Sequence, residues 1–214
     1  VRTLHVGQTR FPGGACSNYW NISSGDASQY DVNRSGCTKD GANFTSRNFW
    51  LSRKVAGFPS GTFSLPQFLD RVARHCKETS PIFDLNLFTM TPEQTLATVR
   101  TIRNQMGEDV EVMIELGNEL YLSQYRCRIG EDVSKYIAAA RLIIDGVRAM
   151  LPKAKIAIIG FLTELIDDAS GDKTPAWGIG TWNQQLRSSG LLSKVDAVTQ
   201  HDYSLAPSSF DSVP

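Results

Sequence analysis

Short apolar runs alternate along this chain with segments of helical periodicity, and that alternation limits the available folds more than any other feature. Strand-like runs lie at Arg2 to Gly7, Ile82 to Phe88, Val110 to Leu116, Lys155 to Phe161 and Val195 to Gln200. The first leads into Thr9-Arg10-Phe11-Pro12-Gly13-Gly14, where Pro and Gly end a regular strand. Between the runs, Ser64 caps a helix with Pro66 in its first turn, and Phe68, Leu69, Val72 and Ala73 recur at helical spacing towards Cys76. Thr91-Pro92-Glu93-Gln94 opens a second helix carrying Leu96, Val99, Ile102 and Met106. Further helices are expected from about Asp132 to Met150 and from Thr181 to Ser188. Strands separated by helices need parallel crossovers, which suits a doubly wound sheet or an eightfold barrel. Polar and aromatic residues follow several strand ends and no Gly-x-Gly-x-x-Gly signature occurs, so the barrel is favoured. The expected fold is α/β, an incomplete (β/α)8 TIM barrel over residues 1–214, with one strand expected before Val1 and two after Pro214.

From about residue 9 to residue 63 a long loop is expected, rich in Ser, Asn, Gly and Asp and interrupted by Tyr19, Trp20, Phe44, Phe49 and Trp50. Irregular segments of that length are usually functional. Asn21, Asn33 and Asn43 head N-x-S/T sequons within it, which favours a glycoprotein that is secreted, extracellular or in a lysosome-like compartment. The chain begins in strand-like sequence with Val1, so it is read as an internal piece of a longer protein. The 22 Lys and Arg balance 22 Asp and Glu, so no general field attracts nucleic acid or an anionic membrane, and no apolar run is long enough to span a bilayer. Cys16, Cys37, Cys76 and Cys127 lack zinc spacing, and no metal is expected. Cys76 belongs at the far end of its helix, away from the loops of the others. Cys37 with Cys127 is therefore the expected disulfide, with Cys16 to Cys37 as the alternative.

The sharpest local feature is Glu115-Leu116-Gly117-Asn118-Glu119, a carboxylic acid beside an amide at the carboxyl end of an apolar strand. In a regular strand, alternation places Glu115, Gly117 and Glu119 on one side, with Glu115 deeper; a bend of the strand end at Gly117 is the alternative. A partly desolvated carboxyl favours its neutral form, which suits Glu119 to protonate a leaving glycosidic oxygen and later to deprotonate water. A turn-capping, solvated Glu is the bland alternative. Asn118 offers both a donor and an acceptor to a sugar hydroxyl.

Arg10-Phe11-Pro12-Gly13-Gly14 with Ser17-Asn18-Tyr19-Trp20, followed in order by Glu115-Leu116-Gly117-Asn118-Glu119, resembles the heparanase and β-glucuronidase family of clan A glycoside hydrolases. The resemblance implies that Asn118 and Glu119 close the fourth barrel strand, so the strands here are the second to the sixth. It assigns Asn118 to the sugar 2-hydroxyl and Glu119 to the acid/base role. His201-Asp202-Tyr203 is a weaker third match, similar also to arabinofuranosidases of the clan. The nucleophilic Glu of the clan follows the seventh strand, which by this count lies beyond Pro214. A fragment of this extent is then expected to be inactive alone and prone to aggregate through open strand edges.

His201 and Tyr203 are candidates to hydrogen-bond a sugar, and Tyr19 and Trp20 to form an apolar platform, with core packing the alternative for Trp20. Arg10 is read as pairing with a buried carboxylate such as Glu115. Glu164 and Asp202 follow strands but read as surface or loop-capping groups. The expected activity is retaining hydrolysis of a β-linked glycoside, perhaps a glucuronide, with no metal or organic cofactor and with an oligosaccharide or glycoside as partner. A carbohydrate-binding pseudoenzyme on the same barrel is the alternative, and unrelated barrel chemistry a third.

Overall fold

The computed structural model of the protein describes residues 8–27, 64–75, 80–121, 125, 133–161 and 178–201. Strands are β1 (Gln8–Phe11), β2 (Trp20–Asn21), β3 (Asp26–Ala27), β4 (Ser80–Leu85), β5 (Met113–Leu116), β6 (Lys155–Ile159) and β7 (Ala197–Thr199). Helices are α1 (Leu65–His75), α2 (Pro92–Met106), α3 (Ser134–Met150) and α4 (Gly178–Ser188), with 3-10 turns at Gly14–Tyr19 and Leu191–Lys194.

The main sheet runs β1-β4-β5-β6-β7, every neighbouring pair parallel. Each strand therefore lies beside its predecessor in that sheet, and the order never reverses. A doubly wound sheet reverses at a switch point, whereas a barrel winds in one direction. Side chains report the curvature as well. Arg10 on β1 reaches Glu115 on β5 across β4, and Glu115 reaches Thr199 on β7 across β6. Such contacts need a concave face, so the architecture is a partial β/α barrel.

The strands expose one face to the helices and the other to this concave interior. Ile114 and Leu116 of β5, and Ile156 and Ile158 of β6, are fully enclosed within the apolar core. Each buried side chain of this size contributes roughly 1.5–3 kcal/mol through removal from water. Phe68 of α1 stacks on Phe11 at 4.4 Å and meets the edge of Phe83 on β4. Trp182 of α4 packs on Tyr136 of α3, their centroids 5.0 Å apart, and donates to Ile159 O at 3.0 Å. Asn183 then brackets Phe161, accepting from its N–H at 2.9 Å and donating to its carbonyl at 2.6 Å. These bonds satisfy backbone groups that the end of β6 leaves without a ladder partner.

The helix starts follow local chemistry. Thr91 Oγ1 accepts from Gln94 N while Gln94 Oε1 accepts from Thr91 N, a reciprocal cap that sets the start of α2 one residue after Thr91. α2 and α3 lie side by side, and Leu96 fills the space where Gly146 has no side chain. Asp196 ties the start of β7 to β6, accepting from Ile156 N at 2.8 Å and from Arg148 at 2.6 Å.

Several expected boundaries move. The first described strand reaches Phe11, so Thr9 and Arg10 belong to it and not to the loop; Arg2 to Gly7 lie outside the described residues. The expected loop from residue 9 to 63 likewise contains structure in its described part, namely the Gly14–Tyr19 turn and the antiparallel ribbon of β2 and β3. Asn21 Oδ1 accepts from Ser23 N at 2.9 Å, which closes the tip of that ribbon. Asn33, Asn43, Cys37, Cys76 and Cys127, and with them the expected disulfides, lie outside the described residues. Among the described residues no helix is long and apolar enough to cross a membrane.

Candidate active site at the carboxyl rim of the sheet

β5 ends at Leu116, and the next three residues turn the chain across the mouth of the concave face. Gly117 has φ 87° and Glu119 has φ 49°, so the regular alternation expected through Glu119 stops at Leu116. Left-handed backbone at a non-glycine costs of order 1–3 kcal/mol, and such outliers gather at functional sites. A Cβ on Gly117 would lie 2.7 Å from Leu120 Cδ1, and Leu120 is itself fully enclosed. Gly117→Ala is therefore expected to destabilise the full-length protein by about 1–3 kcal/mol and to displace Glu119. Urea unfolding checks the first effect and steady-state kinetics the second; unchanged values for both would contradict this reading of the turn.

Below the turn sits a charged layer. Asp84 of β4 and Glu115 of β5 are direct cross-strand neighbours, and like charges so placed repel. Arg10 of β1 answers both: Nη2 is 2.8 Å from Asp84 Oδ2, and Nε donates to Glu115 Oε2 at 2.5 Å. Thr199 donates to the other Glu115 oxygen at 2.7 Å. The expected pairing of Arg10 with Glu115 is what the structure contains, with Asp84 as a second partner. Burial by itself lowers the Arg10 guanidinium, but Asp84 and Glu115 more than offset this and hold it above its ordinary value.

Burial pushes the Asp84 carboxyl well above the usual carboxylate range, helped by Glu115 and Glu119 and opposed by Arg10 and the Ser17 hydroxyl. Ser17 directs its hydrogen to Gly14 O at 2.7 Å. Asp84 thus keeps its ion contact with Arg10, but among the described residues it accepts no hydrogen bond of good geometry.

Asn118 is completely enclosed. Its Oδ1 accepts from Arg10 Nη1 and Nη2, both at 3.1 Å, and its Nδ2 donates to Glu119 Oε2 at 3.3 Å. Asn18 clamps its backbone from the other side, donating to Asn118 O at 2.7 Å and accepting from Asn118 N at 3.2 Å. The amide is thus held between Arg10 and Glu119. Glu119 keeps a narrow opening to solvent, with 11% of its side chain exposed, and its Oε1 lies 3.0 Å from His201 Nδ1. The structure therefore brings Asn118, Glu119 and His201 together.

Tyr19 corrects the expectation of a sugar platform. Its ring is only 1% exposed, meets Phe88 edge-on at 5.6 Å and lies beside Tyr125, and burial raises its hydroxyl far above the usual phenol value. Trp20 is buried too, in the ribbon. These rings hold the Gly14–Tyr19 turn against the barrel, where Thr89 donates to Asn18 O at 2.8 Å. Tyr203, Asp202 and Glu164 lie outside the described residues. Asp84 was not singled out by sequence, although an acid inside the apolar run Ile82 to Phe88 was the available signal.

Among the described residues no cluster of His, Cys, Asp and Glu is arranged to hold a metal ion. A cavity of about 430 Å³ opens at the opposite rim, among Gln8, Ser80, Glu111 and Lys153 at the amino ends of the strands. In barrels that end serves stability, and chemistry gathers at the carboxyl end.

The fold and site define a partial β/α barrel with an acidic centre at the carboxyl rim of its strands. No protein-family profile matches the sequence, and no curated protein matches it. Among solved structures the chain is similar to an α-L-arabinofuranosidase from Thermotoga maritima in complex with arabinose, at 16% identity and a TM-score of 0.46. The likeness covers 73% of this chain and 31% of that one, so the chain spans about a third of the length of the protein it matches. At that level of similarity the barrel assignment rests on strand order and on the contacts across the concave face.

Proposed function

We propose that the protein is a retaining glycoside hydrolase acting on a β-linked glycoside, with Glu119 as acid/base. The observation that carries this reading is the placement of Glu119. It follows the end of a barrel strand in strained backbone, keeps a narrow opening to solvent, and is held between Asn118 Nδ2 and His201 Nδ1. A carboxyl so held can give a proton to a leaving oxygen and take one from water without moving its backbone. The resemblance to the heparanase and β-glucuronidase family supports the same assignment.

Retaining hydrolysis needs a second carboxyl about 5–5.5 Å away, on the other side of the scissile bond. Glu115 and Asp84 do not fit that part, because Arg10 holds both and they are 2% and 0% exposed. The nucleophile is thus assigned to a residue outside those described. His201 is the proposed sugar contact at the rim.

The test is hydrolysis of aryl β-glucuronides, with aryl β-glucosides and β-galactosides as comparators, by the full-length protein. Proton NMR of the first product should show the anomeric configuration of the substrate. Absence of turnover on every glycoside, or a first product of inverted configuration, would reject the proposal.

A further inference from the structure

β5 pairs with its neighbours only as far as Leu116, so the peptide groups on either side of Asn118 have no strand ladder to bond to. A side chain takes that place. Asn18, completely enclosed within the 3-10 turn after β1, donates from Nδ2 to Asn118 O at 2.7 Å and accepts through Oδ1 from Asn118 N at 3.2 Å. One carboxamide thus meets the backbone at two points, as a peptide group of a neighbouring strand would. Asn118 N belongs to the peptide plane shared with Gly117, and Asn118 O to the plane shared with Glu119, so both planes are held. The second plane is the reference for rotation about the Glu119 N–Cα bond. Its φ of 49° is one that a residue with a side chain keeps only where the surroundings fix it.

We propose that Asn18 is a positioning residue for the acid/base Glu119, holding the Asn118–Glu119 peptide in the orientation that aims the carboxyl at the rim. This rests on the reading of Glu119 given above. Asn18 is itself anchored, because Thr89 Oγ1 donates to its carbonyl at 2.8 Å and Asn86 Nδ2 donates to Thr89 Oγ1 at 2.7 Å. Asn86 is fixed in turn: its Oδ1 accepts from Thr89 N at 2.8 Å, and its carbonyl accepts from Thr95 Oγ1 of α2 at 3.0 Å. The clamp therefore stands on the loop after β4 and the first turns of α2, all of it buried. Without the carboxamide, Asn118 O loses this donor, the peptide can turn, and the Glu119 carboxyl leaves its place between Asn118 Nδ2 and His201 Nδ1. Asn18 is enclosed and does not touch substrate, so its whole effect on the reaction passes through Glu119.

Asn18→Leu keeps the branching of the side chain and loses both hydrogen bonds. Its effect is read in the full-length protein as kcat/KM on two glycosides of one sugar, a phenyl glycoside, whose leaving group needs a proton, and a dinitrophenyl glycoside, whose leaving group does not. A displaced acid costs the first substrate and spares the second, whereas a general loosening of the site lowers both alike. The Leu variant is expected to lose at least about tenfold on the phenyl glycoside, since a misplacement of about 1 Å can cost about 100-fold. On the dinitrophenyl glycoside it should stay within about threefold of wild type. If Asn18→Leu does not fold, judged by circular dichroism and thermal melting, Asn18→Ala takes its place.

A folded Leu or Ala variant within threefold of wild type on the phenyl glycoside would overturn the proposal. So would equal losses on the two substrates. Glu119→Ala measured in parallel separates the two levels of inference. If Glu119→Ala turns over the phenyl glycoside as wild type does, the acid/base assignment and this proposal fall together. If Glu119→Ala loses the phenyl glycoside and spares the dinitrophenyl one while the Asn18 variants show no such split, this proposal alone falls.

Discussion

Glu119→Ala is expected to lower kcat/KM on an aryl glycoside with a poor leaving group by about 100- to 10,000-fold, the contribution usual for a positioned general acid. The size of the loss should depend on the leaving group. A phenolate that departs without a proton needs no acid for the first step, so a dinitrophenyl glycoside should still form the glycosyl-enzyme. Hydrolysis of that intermediate then stalls, because no base activates water, and KM falls as the intermediate accumulates. Azide needs no base. Its addition should restore turnover of the activated substrate and yield a glycosyl azide with the anomeric configuration of the substrate, since azide attacks from the face that water would use. Equal losses on good and poor leaving groups, or no response to azide, would remove Glu119 from the acid/base role.

Arg10→Met is the second substitution with a large expected effect, and its readout is stability. Breaking a buried ion pair from one side typically costs about 3–5 kcal/mol, because the remaining charge stays buried without a partner. Asp84 and Glu115 are 0% and 2% exposed, and both contact this single guanidinium. The loss should also depend on pH. Burial already holds the Asp84 carboxyl above its unfolded value despite Arg10, and removal of the cation raises it further. A carboxyl raised on folding contributes stability that is present below its unfolded value and lost as pH rises through its folded value. The variant is therefore expected to lie closest to wild type near pH 4–5 and to lose most ground towards pH 8. Urea melts of the full-length protein across that range measure the difference; a deficit independent of pH would show that Asp84 is not the group left exposed to the loss.

Several elements were legible because their signals are local. The cap at Thr91 and Gln94, the helical spacing from Leu96 to Met106 and the apolar run into Glu115 all depend on residues within a few positions of one another. The position of Glu119 just beyond a strand end was readable for the same reason. Its backbone was not, because Gly117 permits both a continued strand and a bend, and the left-handed turn is settled only by how Leu120 packs beneath it. Tyr19 shows a related limit: an aromatic residue in a polar stretch reads equally as a binding surface or as core. Its burial depends on Phe88 and Tyr125, 69 and 106 positions away in the chain.

Sequence by itself determined the alternation of strand and helix, the parallel crossovers that it requires, and the amide and carboxyl pair Asn118 and Glu119 at a strand end. Only the tertiary structure decided between a reversing sheet and one that winds in a single direction, because neighbour order leaves no trace in periodicity. It also decided that Asp84, Glu115 and Asn118, far apart from Arg10 in the chain, would share its guanidinium. The reason is physical: hydrophobic spacing specifies which face of an element is buried, but the energy of a buried charge depends on partners that meet only when the strands are side by side.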